Sequence, residues 1–181
     1  NMDIIIISIT ALLASLMTFF TGFGLGTILT PVFAIFFPID IAIALTGIVH
    51  LLNNLFKLAL VGKESNKTVV LKFGIPAIIA AFIGAELMIT LSTLPEIFSF
   101  ALFGKEFFIL PIKIIVAVLM IAFALMEALP KLKSIQFDAN KIFLGGALSG
   151  FFGGLSGHQG AFRSAFLIRA GLSKEAFIAT G

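Results

Sequence analysis

The sequence predicts an all-α, polytopic integral membrane protein: a helical bundle with an internal repeat and two glycine-broken helices. Three observations predict it. First, 60% of the 181 residues are hydrophobic and 12% are charged, about half the usual charged fraction of a globular domain. The mean hydropathy is +1.18. A soluble chain of this length lacks the core volume to hide so much apolar side chain, whereas a bilayer hides it readily. Second, the apolar runs are long and unbroken, which excludes the short alternating segments of a transmembrane barrel. Third, residues 21–47, TGFGLGTILTPVFAIFFPIDIAIALTG, return as 155–181, LSGHQGAFRSAFLIRAGLSKEAFIATG, on a shift of 134 positions. Gly26 falls on Gly160, Ala42 on Ala176, Thr46 on Thr180 and Gly47 on Gly181, while Thr30 falls on Ser164. Both copies share an order: a glycine break, a hydroxyl residue four positions on, an apolar run, a short turn, then a second helix reaching Thr-Gly. Duplication inside an apolar chain is a mark of many secondary transporters.

Each element follows from local chemistry. Residues 4–39 carry no formal charge. As one helix they would extend about 54 Å at about 1.5 Å per residue, against a hydrocarbon core of about 30 Å. Gly22, Gly24, Gly26 and Pro31 mark where the run breaks, since glycine permits unwound backbone and proline removes a donor. A helix over about 4–20, a break over 21–26 and a half-helix to about 37 follow. Unwound backbone at membrane depth survives only under cover of protein or a wet cavity, so the break faces the bundle interior. Pro38-Ile39-Asp40 is a turn, with Asp40 placed to cap a helix over about 41–62. Along that helix Thr46, His50, Asn53, Asn54 and Lys57 fall on one face, and aliphatic residues and Phe occupy the other. Such a polar stripe points to a wet or protein-lined interior.

GKESNK at 62–67 is a polar loop, followed by a helix over about 68–91 that carries Glu86 in its last third. Residues 92–110 hold Pro95, Gly104, Glu96, Lys105 and Glu106, which favours an interfacial or re-entrant piece over a full span. A further helix covers about 111–130. KLKSIQFDANK at 131–141 is the second polar loop. A helix from about 141 breaks at Gly153, Gly154, Gly157 and Gly160, a half-helix continues to about 170, and Ser173 caps the last helix. Residues 1–130 thus read as a first repeat unit of about four spans, and 131–181 as the truncated start of a second. The two lysine-rich loops share a side, which the positive-inside rule assigns to the cytoplasm. Four spans before the second copy give both copies one orientation; an extra crossing inverts one of them.

Several function classes drop out. Lys and Arg sit mostly in short loops, with no basic stripe interleaved with aromatics, so the net charge of +3 sets orientation and implies no nucleic acid. The absence of Cys removes thiolate chemistry and Cys-based metal sites. No phosphate-binding glycine loop, HExxH or nucleophile–base pairing is present, so neither ATP, a cofactor, a metal nor an intramembrane enzyme is implied.

The candidate chemistry lies in the stripe and the second break. Lys57 reads either as a side chain that snorkels to the cytoplasmic interface or as an interior cation that draws anions in. His50 reads either as hydrogen-bonded packing or as a proton-sensitive, substrate-contacting group. Asn53 and Asn54 can bond neighbouring helices or donate N–H groups to an anion. Gly157-His158-Gln159-Gly160 puts two polar side chains between glycines, with Arg163 and Ser164 in the following half-helix. A glycine loop opening a helix offers free backbone N–H groups and a positive dipole end. The planar donor fork of Arg163 completes a site for an oxyanion, unless Arg163 pairs with Glu86 or Glu127.

TGFGLGTILTPVFAIFFPIDIAIALTG and GGLSGHQGAFRSAFLIRAGLSKEAFIATG resemble the TauE/SafE sulfite exporter family, also called the 4-toluene sulfonate uptake permease family. The resemblance covers nearly the whole chain, and its most specific piece is the second segment. Where many members carry a further glycine and a proline after that break, this chain has Arg163, Ser164 and Ala165. The resemblance implies a duplicated four-span unit, two or three spans beyond those read here, and transport of sulfite, sulfoacetate or related organosulfur oxyanions. The resulting expectation is a multi-pass secondary transporter of the cytoplasmic membrane, an exporter, with a gated anion channel as the alternative. Substrate would contact Arg163, His158, Gln159, Ser164, Gly157, Gly160, Gly24, Gly26, His50, Asn53 and Asn54, and His50 or His158 would couple a proton. The expected partners are a small anion and the lipid bilayer, with a homodimer as candidate assembly.

Overall fold

The computed structural model describes residues 2–21, 25–129, 138–167 and 170–181. Gly22, Gly24, most of the 131–141 loop and Arg169 lie outside the described residues.

Among the described residues eight helices carry the fold: α1 Met2–Thr21, α2 Leu25–Phe36, α3 Ile39–Val61, α4 Lys67–Ser92, α5 Pro111–Ala128, α6 Ile142–Ser156, α7 Gly160–Leu167 and α8 Lys174–Thr180. Of these, α3, α4 and α5 are long and apolar enough to cross a membrane; α2 and α6 are apolar but shorter. Their outward faces present Ile, Leu, Val and Phe, such as Leu52, Leu55 and Phe56 on α3 and Ile79 and Phe82 on α4. In water this surface would be untenable, and in lipid it is the solvated face.

Helix ends follow cap chemistry, with one departure. Asn66 caps α4 by accepting from Val69 N at 3.1 Å, and Ser173 caps α8 by accepting from Ala176 N at 3.1 Å. Asp40, expected as the cap of α3, instead sits in the first turn, because Pro38 occupies the N-cap position without a side-chain bond. There its carboxylate still meets the positive end of the helix. The proline in α2 does not end that helix: Pro31 lies inside it, with Thr30 helical.

Residues 92–110 depart from a purely helical fold. Strands β1 Phe98–Leu102 and β2 Lys105–Ile109 pair antiparallel, from Phe98 opposite Ile109 to Leu102 opposite Lys105. Phe103 and Gly104 form the two-residue connection, with φ of 51° and 73°. Positive φ at both central residues matches the turn to the right-handed twist of the strands.

Two apolar clusters mark the ends of the bundle. Ile39 and Ile43 at the start of α3 pack with Met88 and Leu91 at the end of α4 and with Leu110 and Ile112 beside the hairpin. At the other end Val69 of α4, Ile142 of α6 and Leu167 of α7 pack with Leu172 and Phe177. A third cluster joins Ala14 of α1, Leu25, Leu29 and Phe33 of α2 and Ala42 of α3. The most extensive helix pair is α4 with α6. It is built on glycines: a β-carbon on Gly146, Gly150 or Gly154 would strike the backbone carbonyl of Phe73, Ala77 or Ala81, and one on Gly84 would strike that of Phe151. Close backbone approach of this kind holds membrane helices together where lipid removes the hydrophobic drive.

Candidate functional site

The glycine break of the second segment lies at 157–159, not at 153–154. Helix α6 continues through Gly153 and Gly154 to Ser156, since Gly154 is used for contact with α4. Gly157 then turns the chain with φ +78°, a conformation that costs a residue with a β-carbon about 1–2 kcal/mol. Helix α7 folds back along α6: the Ser149 hydroxyl donates to the Gln159 carbonyl at 2.9 Å, and the Phe166 ring covers the bare face of Gly145. The two segments then meet. A β-carbon on Gly26 would run into the Gly157 carbonyl, and one on Gly157 would come within 2.9 Å of Thr30 Oγ1. Thr30 Oγ1 donates to Thr46 Oγ1 at 3.2 Å, and Thr46 Oγ1 donates to the Ala42 carbonyl at 2.9 Å. Both threonines are fully buried, so this hydroxyl pair locks α2 to α3 directly beneath the Gly157 turn.

The polar stripe of α3 faces inward as its spacing predicts. Thr46, His50, Asn53 and Lys57 are buried and Asn54 is partly so, while the opposite face is exposed. Lys57 is 4% exposed, so its side chain lies inside the bundle. His50 and Asn54, one turn apart, line a cavity of about 320 Å³ with Gln159, Gly157, Gly153 and Ala81. Gln159 Nε2 lies 3.4 Å from His50 Nδ1. An amide that donates there leaves the neutral ring with its proton on Nε2. That Nε2 and Asn54 Oδ1 are buried with no hydrogen-bond partner among the described residues.

His158 takes the other side of the turn. Its Nδ1 donates to the Ser156 carbonyl at 2.7 Å, and its ring stacks on Phe123 of α5 with centroids 5.6 Å apart. Phe123 in turn packs edge-on against Phe152 and Phe162, which stack on each other, with centroid spacings of 5.3–5.7 Å. With Nδ1 protonated, the neutral ring offers Nε2 as an acceptor, and this atom is also buried without a partner among the described residues, as is Ser164 Oγ. Arg163 is buried; its Nη1 donates to the Gly181 carbonyl, and its charge acts on both His50 and Lys57. Of the two carboxylates weighed as its partner, Glu86 is exposed on α4; Glu127 is half-buried on α5, and one of its oxygens accepts from Thr27 Oγ1 at 3.0 Å.

This arrangement can receive an anion. A space of about 320 Å³ is walled by glycines and by the apolar side chains of Leu51, Ala77 and Ile78, with His50, Asn54 and Gln159 as its polar lining. Comparison with known proteins agrees in kind. A family model described as Sulfite exporter TauE/SafE matches residues 7–181. The chain belongs to the TauE/SafE sulfite exporter family. No curated protein and no solved structure matches it. Membership makes it an integral membrane protein of a transporter family, in keeping with the apolar helices described above.

In this TauE/SafE chain the residues singled out from sequence divide into two groups. His50, Asn54, Gly157 and Gln159 line the cavity; Arg163, His158, Ser164 and Asn53 do not. Asn53 opens instead on an apolar groove between α1 and α3. Gly26 is a packing partner of the turn, Gly160 begins α7, and Gly24 lies outside the described residues. Sequence reasoning passed over the Phe123–Phe152–Phe162 cluster and the buried hydroxyls of Ser149 and Ser156. Phe residues are too common in this chain to stand out. The hydroxyls were legible only as weakly polar positions in apolar runs.

Proposed function

We propose that the protein is a TauE/SafE secondary transporter of the cytoplasmic membrane that exports a small sulfur oxyanion such as sulfite, or an organosulfonate such as sulfoacetate. The substrate occupies the cavity beside the Gly157 turn. The observation that carries this reading is the convergence of His50, Asn54 and Gln159 on one space, with a buried His50 Nε2 that has no other partner among the described residues. His50 Nε2–H and the amide of Gln159 donate to substrate oxygens. Asn54 adjusts to what remains, because its amide offers both a donor and an acceptor. Arg163 and Lys57 stand behind this shell and raise the local potential for an anion without touching it. His50 and His158 are the groups able to carry a coupling proton.

Counterflow of labelled sulfite into proteoliposomes tests the reading. Uptake should saturate and should accelerate with unlabelled sulfite inside, as a carrier requires and a channel does not. Gln159→Leu and His50→Leu should each lower substrate affinity about tenfold or more, since a hydrogen bond to a charged group is worth about 1.5–3 kcal/mol. Arg163→Ala should suppress flux through loss of the field. Unchanged counterflow in both cavity variants would remove the assigned site.

A further inference from the structure

The hairpin between α4 and α5 lies outside the cavity, its second strand bordering a groove with the end of α2 and the start of α5, and its side chains are unusual for a surface loop. Phe98, Phe100, Phe107 and Phe108 are 42–53% exposed, and Phe103 at the tip is 96% exposed. Phe103 also holds φ of 51°, a position where Asn, Asp or Gly is normal and a bulky ring is strained. A phenylalanine kept there at a cost needs something to touch.

Three constraints fix what it touches. The outer edges of a two-stranded sheet carry unpaired backbone N–H and C=O groups, which hydrocarbon does not tolerate, so the hairpin does not cross or enter the bilayer core. Five phenyl rings in bulk water are equally unfavourable, at about 25 cal/mol per Å² of apolar area left wet. The hairpin is also tethered close to the bilayer. Only Leu110 separates β2 from α5, and Lys113 in the first turn of α5 donates through Nζ to the Phe108 carbonyl at 2.7 Å. The rings therefore lie within a strand's length of the end of a spanning helix. The remaining level is the headgroup zone, where backbone groups stay hydrated and rings reach the acyl boundary. The chain has no Trp and no Tyr, the residues that ordinarily hold this level. We propose that the 98–109 hairpin is the aromatic anchor of the protein, lying in the lipid headgroup zone on the face opposite the 62–66 loop, with Phe103 directed into the acyl boundary.

The absence of native Trp makes the test clean. Phe103→Trp, and separately Phe107→Trp, would each supply the sole tryptophan of this chain in liposomes. Ile79→Trp on the outward face of α4 serves as the deep reference. Emission from the Phe103→Trp variant should be blue-shifted and should lose most of its intensity with lipids brominated near the glycerol, less with lipids brominated near the chain end. The Ile79→Trp variant should show the reverse. Quenching of the Phe103→Trp variant by aqueous iodide but not by brominated lipid would place the hairpin in water. Strongest quenching by the deepest bromines would make it re-entrant. Protection from both quenchers would mean that protein covers it. Each of these three results overturns the proposal. Phe107→Trp guards against a local effect of the turn.

Discussion

A single missing β-carbon decides the geometry at the turn. Gly157 combines a left-handed backbone with contact to Thr30 Oγ1, and Gly26 leaves room for the Gly157 carbonyl. Gly157→Ala should therefore destabilise twice over, by about 1–2 kcal/mol for the backbone and further for the displaced threonine pair. Gly74 has open space around its α-carbon, and Gly74→Ala should hold or raise stability by up to about 1 kcal/mol, the helix preference of alanine over glycine. Unfolding temperatures of the two variants in detergent check this, and equal temperatures would deny the turn its role. The sequence made both glycines and the polar stripe legible, because spacing alone puts residues on a helix face. It could not say that the neighbours His158 and Gln159 point to opposite sides. That depends on the dihedral at Gly157, which no residue type announces.

Among elements, α6 shows why glycines are ambiguous in a sequence. Gly146, Gly150, Gly154 and Gly157 look alike in one dimension. Three recur at intervals of four and form the seam against α4; of the glycines off that interval, Gly145 and Gly153 stay helical and only Gly157 ends the helix. The period was the available signal: a row of small residues on one face packs a helix partner, whereas a break carries no period. Gly150→Leu should push α4 and α6 apart, costing at least the 1–3 kcal/mol or so typical of overpacking, because the clash is with the Ala77 backbone and not with a flexible side chain. Thermal unfolding and loss of the folded peak on size exclusion would measure it. Gly74→Leu, outside the seam, should be tolerated. The 92–110 hairpin was hidden for a related reason. Its proline and charges excluded a span, but its phenylalanines suit an interfacial helix and a strand alike, and pairing across the turn at Phe103 and Gly104 decided the matter.

At the scale of the molecule, connectivity answers a question the sequence leaves open, whether the two related segments share an orientation. On the 134-residue shift the C-terminal end of α1, both ends of α2 and the start of α3 fall within three residues of the corresponding ends of α6, α7 and α8, so the segments are alike in outline there. Their placement is opposite. The start of α3 packs beside the hairpin with the end of α4, while the end of α7 and the residues leading to α8 pack against the starts of α4 and α6. Helix α4, about 39 Å long at about 1.5 Å per residue, separates those two ends. Helix α2 therefore runs from Gly26 toward the hairpin end of the bundle and α7 runs from Gly160 toward the 62–66 end, with Gly26 against the Gly157 turn that precedes α7. Asp40 and Lys174, equivalent on the shift, should lie on opposite sides of the membrane. The chain has no cysteine, so single-cysteine variants report this directly. In intact cells an impermeant maleimide should label Asp40→Cys and Glu96→Cys. Lys63→Cys and Lys174→Cys should react only after the membrane is opened, as the lysines of the 62–67 loop require by charge. Labelling of Asp40→Cys and Lys174→Cys from the same side would make the two segments parallel. It would also break the cavity's access logic: opposed tips give a space that one rocking motion can expose to either side in turn, and parallel tips do not.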